Sequence, residues 1–384
     1  MSSARTFVRR IHLWLGLSLG LLLALLGLTG SLLVFYVEID ALLNPTARVE
    51  SEAPAPGWDS PVWDAALATA RATEGPGDWS FEVTNQPGSI PARFYPHGHT
   101  GGHHAERQMM WFSPDGREVL RSDAWGDYAM SWIYELHMHL LSGETGGLIV
   151  GWGGLATLLI LLTGVLSWWP RGGFGNALSF KRRAVPLRRL RDLHKHFGVW
   201  SFLLLILVVS TGGLLALPNV KATVFAALVA MPDEVPSPRA TSPSVPAAPL
   251  TQVLAAAHRA LPAAHLAFID VPGDAQSPIR LRVKVPGDLH DRFPGSYVFI
   301  DPRTAQVLAV HDVARGNSGT RLAAWIRPIH DGSIGGLATR LLAVVLGLVP
   351  LALAITGFLY WRRRSARRAA VPHLHSVLEG NSVR

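Results

Sequence analysis

Four long uncharged runs constrain this chain more than anything else in it. Residues 13–37, 148–169, 198–217 and 337–360 are each 20 residues or longer and almost free of charge. A helix rises about 1.5 Å per residue, so each run can cross a hydrocarbon core of about 30 Å. Backbone groups in lipid must hydrogen-bond within their own segment, which makes these runs helices. The first run is too long for the apolar core of a signal peptide, and no small-x-small cleavage site follows it closely.

Charge sets the expected orientation. Residues 1–12, 170–193 and 361–384 hold sixteen of the 35 Lys and Arg but only two of the 27 Asp and Glu. Basic residues concentrate on the cytoplasmic side of membrane proteins, so both termini and the 170–193 loop are expected there. The net charge of +8 is then a topology signal and not a nucleic-acid footprint. Basic runs such as Lys181-Arg182-Arg183 suit anionic lipid headgroups.

The runs repeat. His12 is followed by Gly16 at four positions and by Thr29-Gly30 at seventeen. His194 is followed by Gly198 and Thr211-Gly212 at the same offsets. His137 and His330 are each followed, twenty-six positions on, by Thr163-Gly164 and Thr356-Gly357. Small residues such as these let helices approach closely in lipid. Each apolar segment thus has a histidine at one end, as metal centres near the two faces of a membrane would need.

Segments 38–146 and 218–336 are too long for plain connections, and each is expected to have its own fold. In the first, 63–72 reads as a helix and 80–83, 92–95, 109–112 and 117–120 as strands. In the second, 232–249 reads as a linker and 250–261 as a helix. Strands are then expected at 266–271, 279–285, 297–300 and 305–310. The expected organisation is an integral membrane α-helical protein with four transmembrane helices, made from a duplicated helix–outer domain–helix unit with two periplasmic α+β domains. The boundaries are 1–37, 38–146, 147–169, 170–193, 194–217, 218–336, 337–361 and 362–384. Both copies start on the same side, so the repeats run parallel.

There is no cysteine. This excludes disulfides, cysteine-ligated iron–sulfur clusters and covalently attached haem. No Gly-rich dinucleotide fingerprint follows a strand, and no HExxH is present. The longest internal cytoplasmic segment is too short for a flavin or nicotinamide domain.

The stretches RDLHKHFG, LHMHLLSGETGG, LTGVLSWW and YVFIDPRTAQVLAV resemble PepSY-associated transmembrane proteins. Within them the chain is most similar to inner-membrane siderophore reductases of the ferrioxamine type. The resemblance covers nearly the whole chain, and the His97–His104 stretch departs from the usual pattern. It implies PepSY-like outer domains, two non-covalent haem b groups, and reduction of a periplasmic ferric siderophore in the bacterial inner membrane. Electrons would come from a quinol or a separate cytoplasmic reductase, because this chain has no nucleotide domain.

A b-type haem in a helix bundle takes neutral imidazoles from facing helices. The repeat supplies an inner pair, His12 and His194, and an outer pair, His137 and His330. His139 and His196 lie two residues from a proposed ligand and cannot share its helix face. They stay open as alternates to His137 and His194. Arg9, Arg10, Arg188, Arg189 and Arg191 are candidates for the inner propionates, with Arg321 and Arg327 for the outer ones. A histidine at a helix end can also be merely interfacial. The tract His97-Gly98-His99-Thr100-Gly101-Gly102-His103-His104 is either a metal-binding stretch or an exposed loop. Trp132, Trp152, Trp168, Trp169, Trp325 and Trp361 suit interfacial belts. The competing readings are a membrane-anchored module that binds or inhibits a protein, and a metal transporter.

Overall fold

The computed structural model describes residues 3–47, 49, 55–84, 88–96, 107–170, 172–179, 183–240, 246–274 and 276–380. The His97–His104 tract lies outside the described residues. The first apolar run lies in α1 (Ser3–Leu33), followed by the short α2 (Tyr36–Leu43). Then come α3 (Val62–Glu74) and strands β1 (Gly77–Glu82), β2 (Ile90–Pro96), β3 (Gln108–Phe112) and β4 (Val119–Ala124). Helices α4 (Ala129–His139) and α5 (Gly143–Trp168) close the first half. After the short α6 (Phe174–Ala177), the same order recurs in α7 (Pro186–Ala216), α8 (Pro218–Leu228) and α9 (Leu250–Ala260). Strands β5 (His265–Val271), β6 (Ile279–Lys284), β7 (Ser296–Ile300) and β8 (Val307–His311) follow, then α10 (Ser318–Asp331) and α11 (Gly336–Gly380).

Helices α1, α5 and α7 and the apolar part of α11 are long and apolar enough to cross a membrane. Both α1 and α7 begin well before their apolar runs. Each therefore carries its arginines, its histidine and its apolar stretch on one continuous rod. Close packing occurs at Gly27 and Gly347, whose backbones touch, and the Ser31 hydroxyl donates to the Val344 carbonyl at 3.0 Å. Any side chain at either glycine would force α1 and α11 apart.

The strands fall where alternation of apolar and polar residues places them, with ends shifted by a few residues. Their assembly differs from the expected two outer domains. All eight strands form one antiparallel sheet in the order β4-β3-β2-β1-β5-β6-β7-β8. The seam is β1 against β5, with Trp79 opposite Val271 and Phe81 opposite Ile269. A four-stranded meander would leave β1 and β5 as open edges; pairing them removes both. It also lets α3 and α9 cover one face together. Trp63 and Ala66 of α3, Leu250 and Leu254 of α9, and Phe81 and Ile269 of the sheet share one core. The Asp64 carboxylate on α3 accepts the Leu250 and Thr251 N–H groups at 2.6 and 3.2 Å. The first half thereby caps a helix of the second.

Side chains alternate across a strand, so the opposite face carries a different set. Ser80 and Glu82 of β1, Arg93 of β2, Phe268 of β5 and Arg282 of β6 lie there. Helices α4 and α10 lie between the sheet and the long helices, and neither is evident from apolar periodicity. Helix α4 ends at Leu140 in the left-handed region (φ 49°). Helix α10 ends at Gly332 (φ 77°). Both turns reverse the chain directly into a long helix, leaving His137 and His330 at the top of the bundle.

Candidate functional site

The four repeat histidines meet as two pairs, one member from each half. The rings of His12 on α1 and His194 on α7 have centres 6.1 Å apart at 74°. Those of His137 on α4 and His330 on α10 are 6.4 Å apart at 43°. An imidazole–metal bond of about 2.0 Å puts two rings on opposite sides of one metal with centres roughly 6 Å apart. Both pairs have that spacing.

One local device holds all four rings. His12 Nδ1 lies 3.0 Å from the Ile160 carbonyl, and His330 Nδ1 lies 3.0 Å from that of Val208. His194 Nδ1 is 3.1 Å from both the Leu353 carbonyl and the Thr356 hydroxyl. His137 Nδ1 is 2.9 Å from the Thr29 hydroxyl and also bonds the Leu26 backbone. Each carbonyl belongs to the residue three before the threonine of a Thr-Gly pair. A carbonyl can only accept, so Nδ1 carries the proton and Nε2 keeps its lone pair. That is the tautomer a metal ligand needs, fixed by a hydrogen bond on the other nitrogen.

The glycines explain why the rings reach so far. A Cβ on Gly30 would lie 3.0 Å from His137 Cε1, and one on Gly164 3.0 Å from His12 Cε1. On Gly212 and Gly357 it would lie 2.6 and 3.2 Å from Cε1 of His330 and His194. These glycines let neighbouring helices come close enough to seat an imidazole against each of them. The wiring stays within each half. Helix α1 carries His12 and holds His137, while α5 holds His12. Helix α7 carries His194 and holds His330, while α11 holds His194.

A cavity of about 2330 Å³ runs along the bundle and is lined by all four histidines. Seventeen helical residues between His12 and Thr29 separate the two levels by about 26 Å. The volume exceeds the roughly 300–1,000 Å³ of a single small-molecule site. Gly16 and Gly198, one turn beyond the lower histidines, also line it. A Cβ on Gly16 would meet nothing within 4 Å, and one on Gly198 only Leu353 at 3.8 Å.

His139 and His196 do not line this cavity. His139 Nδ1 bonds Glu135 at 2.8 Å on its own helix. The twofold spacing turns both away, and the structure brings His137 and His194 to the pairs instead.

At the lower end Arg9, Arg10, Arg188 and Arg191 line the cavity, whereas Arg189 does not. The buried Asp192 lies 3.8 Å from Arg188, 3.7 Å from Arg191 and 3.6 Å from Lys195. Arg5, not singled out by sequence, donates to the carbonyls of Ser167 and Trp169 at 3.0 and 2.8 Å, covering the end of α5. At the sheet end Arg327 lines the cavity and Arg321 does not. Trp132, Trp152, Trp169 and Trp325 are exposed, while Trp168 and Trp361 line the cavity.

Sequence reasoning missed the sheet-side arginines Arg93, Arg107, Arg282 and Arg292, all of which line the cavity. The signal was present in β2 and β6, where Ile90 and Arg93 match Ile279 and Arg282. Burial alone would raise the Glu82 carboxyl, but Arg292, Arg93 and Arg282 outweigh it and hold it below the ordinary carboxylate value.

The donor set narrows the chemistry. No group of three or more His, Asp or Glu suited to a metal occurs among the described residues. Each pair offers two neutral imidazoles at close range, beside a large and mostly apolar space. That fits a flat macrocycle bringing its own equatorial ligands, and it does not fit a four-ligand zinc site. No curated protein matches the chain. The family model for the PepSY-associated TM region matches residues 9–364. The chain therefore belongs to that family and is a membrane protein.

Proposed function

We propose that this member of the PepSY-associated transmembrane family is a dihaem reductase that carries electrons across the bacterial inner membrane to a ferric siderophore. The observation that carries the reading is the pairing of four imidazoles, with ring centres 6.1 and 6.4 Å apart and each Nδ1 tied to a neighbouring helix. His12 and His194 would hold one haem b, and His137 and His330 the other. Haem supplies a one-electron carrier whose potential follows its ligands and surroundings.

The chain's own residues fix the imidazoles in the neutral tautomer, keep the path between the two levels apolar, and surround its ends with arginines. The basic lower end lies in the cytoplasm, with both termini, and receives electrons from a quinol or a separate reductase. The sheet lies in the periplasm over the other pair. The matched order of elements in the two halves supports a duplicated unit. One electron delivered at the sheet side reduces chelated Fe(III) to Fe(II), and a chelator built for the harder ion then holds it less well.

Purified protein from haem-replete cells should show a low-spin b-type spectrum with about two haems per chain. A colourless preparation sinks the reading. It would favour a protein-binding module or, with metal flux in haem-free liposomes, a transporter.

A further inference from the structure

We propose that the sheet-side mouth of the cavity is a carboxylate-binding site, built by arginines from both halves for an anionic ligand. Arg93 and Arg282 are the fourth residues of β2 and β6. Arg107 precedes β3, Arg292 lies between β6 and β7, and Arg327 is on α10. All five line the cavity.

Aromatic faces hold these guanidinium groups in place. Arg93 and Arg282 lie 4.7 and 5.5 Å from the centre of Phe268. Arg327 and Arg292 lie 4.1 and 5.0 Å from the centre of Phe293. The two phenylalanines stack at 5.5 Å. Arg107 sits 3.4 Å over Trp125. Such contacts fix direction and leave the N–H groups available.

Negative charge is scarce. Glu82 serves Arg93 at 3.3 Å and Arg292 at 2.5 Å. Asp331 lies 4.0 Å from Arg327 and also bonds His290 at 3.0 Å. Arg282 donates to the Tyr297 hydroxyl at 2.7 Å and, like Arg107, meets no carboxylate among the described residues. Arg107 is only 7% exposed, and its Nε has no hydrogen-bond partner among the described residues. A buried guanidinium left in that state is strongly unfavourable, so the mouth is short of an anion. The planar guanidinium fork matches the two oxygens of a carboxylate.

Two sources can supply that group: the propionates of a haem between His137 and His330, or the carboxylates of a soluble iron chelate. Only this choice of source rests on the reductase reading; the carboxylate site does not. The test is calorimetric titration of citrate into the full-length protein in detergent, prepared haem-loaded and haem-free. Citrate should bind at least one form, more weakly as salt rises. Arg107→Gln and Arg282→Gln should each weaken it roughly tenfold or more, while Arg315→Gln, an exposed residue outside the cavity, leaves it unchanged. Binding to both forms assigns the site to a soluble anionic chelate. Binding confined to the haem-free form assigns it to the propionates. A colourless protein that binds citrate keeps this site while the reductase reading fails. Absence of binding to either form overturns the proposal, as does binding that neither substitution weakens. If the glutamine variants do not fold, Arg107→Lys, which keeps the charge but loses the fork, should still bind more weakly than wild type; unchanged affinity counts against the site.

Discussion

Gly212 stands directly against His330: a Cβ there would lie 2.6 Å from the imidazole Cε1. A methyl at that position has to displace the ring, because the neighbouring Val208 carbonyl holds its Nδ1. Gly212→Ala is therefore expected to weaken cofactor retention at the sheet-side pair by roughly 10–100-fold while sparing the other pair. Haem content per chain and the spectrum of the remaining haem measure this. Gly175→Ala, on α6 outside the cavity and with nothing within 4 Å of a Cβ, should bind haem as wild type does.

The pairing itself makes a sharper demand. His12→Ala and His194→Ala should remove the same haem, and the double variant should remove no more than either single. His137→Ala and His330→Ala should remove the other. His139→Ala and His196→Ala, whose side chains do not line the cavity, should retain both. Four single variants with four distinct spectra would break the assignment.

The pairs were legible because one offset recurs. His12 and His194 match in their spacing to glycine and threonine, and so do His137 and His330. What the threonine and glycine do was not legible. Thr163-Gly164 holds His12 from 151 positions away, and nothing local separates that role from ordinary helix packing. The joined sheet was hidden for a related reason. Alternation identifies β1 and β5 as strands, but an edge that pairs across 190 residues, as Ser80 and Asp270 do, carries no local mark. The arginines looked like ordinary outward-facing strand residues, since burial of that face depends on α4 and α10.

Glu82 bonds Arg292 and Arg93 and is buried beneath the sheet. Removing its charge leaves the arginines unopposed. Glu82→Gln should destabilise the protein by about 3 kcal/mol or more, the usual cost of breaking a buried pair. Chemical unfolding of detergent-solubilised protein measures it.

The same carboxylate gives a pH dependence. Its folded pKa lies below the unfolded value, despite burial, because of the arginines. The unfolded state therefore binds the proton more readily. Its contribution is fully present above the unfolded carboxylate value and is lost as pH falls through the lower folded one. Wild type should lose stability on acidification through that window, and Glu82→Gln should lose less. Parallel slopes for the two proteins would remove Glu82 from the account.

The seam between β1 and β5 should be the weak point of the sheet if the halves are separable units, and a cooperative element if they are not. Ser80 lies opposite Asp270 there, and its hydroxyl donates to that carboxylate at 2.5 Å. Strand β1 pairs on both sides, so a proline at Ser80 must break a ladder bond wherever its N–H pointed. The shared core of α3 and α9 spans the seam, so opening it exposes Phe81 and Ile269 together. Ser80→Pro is thus expected to cost about 3 kcal/mol or more and to raise protease sensitivity in both halves at once. Asp270→Asn, which keeps the backbone pairing, should cost under about 1.5 kcal/mol. Cleavage confined to the first half in Ser80→Pro would mean that each half holds its strands alone.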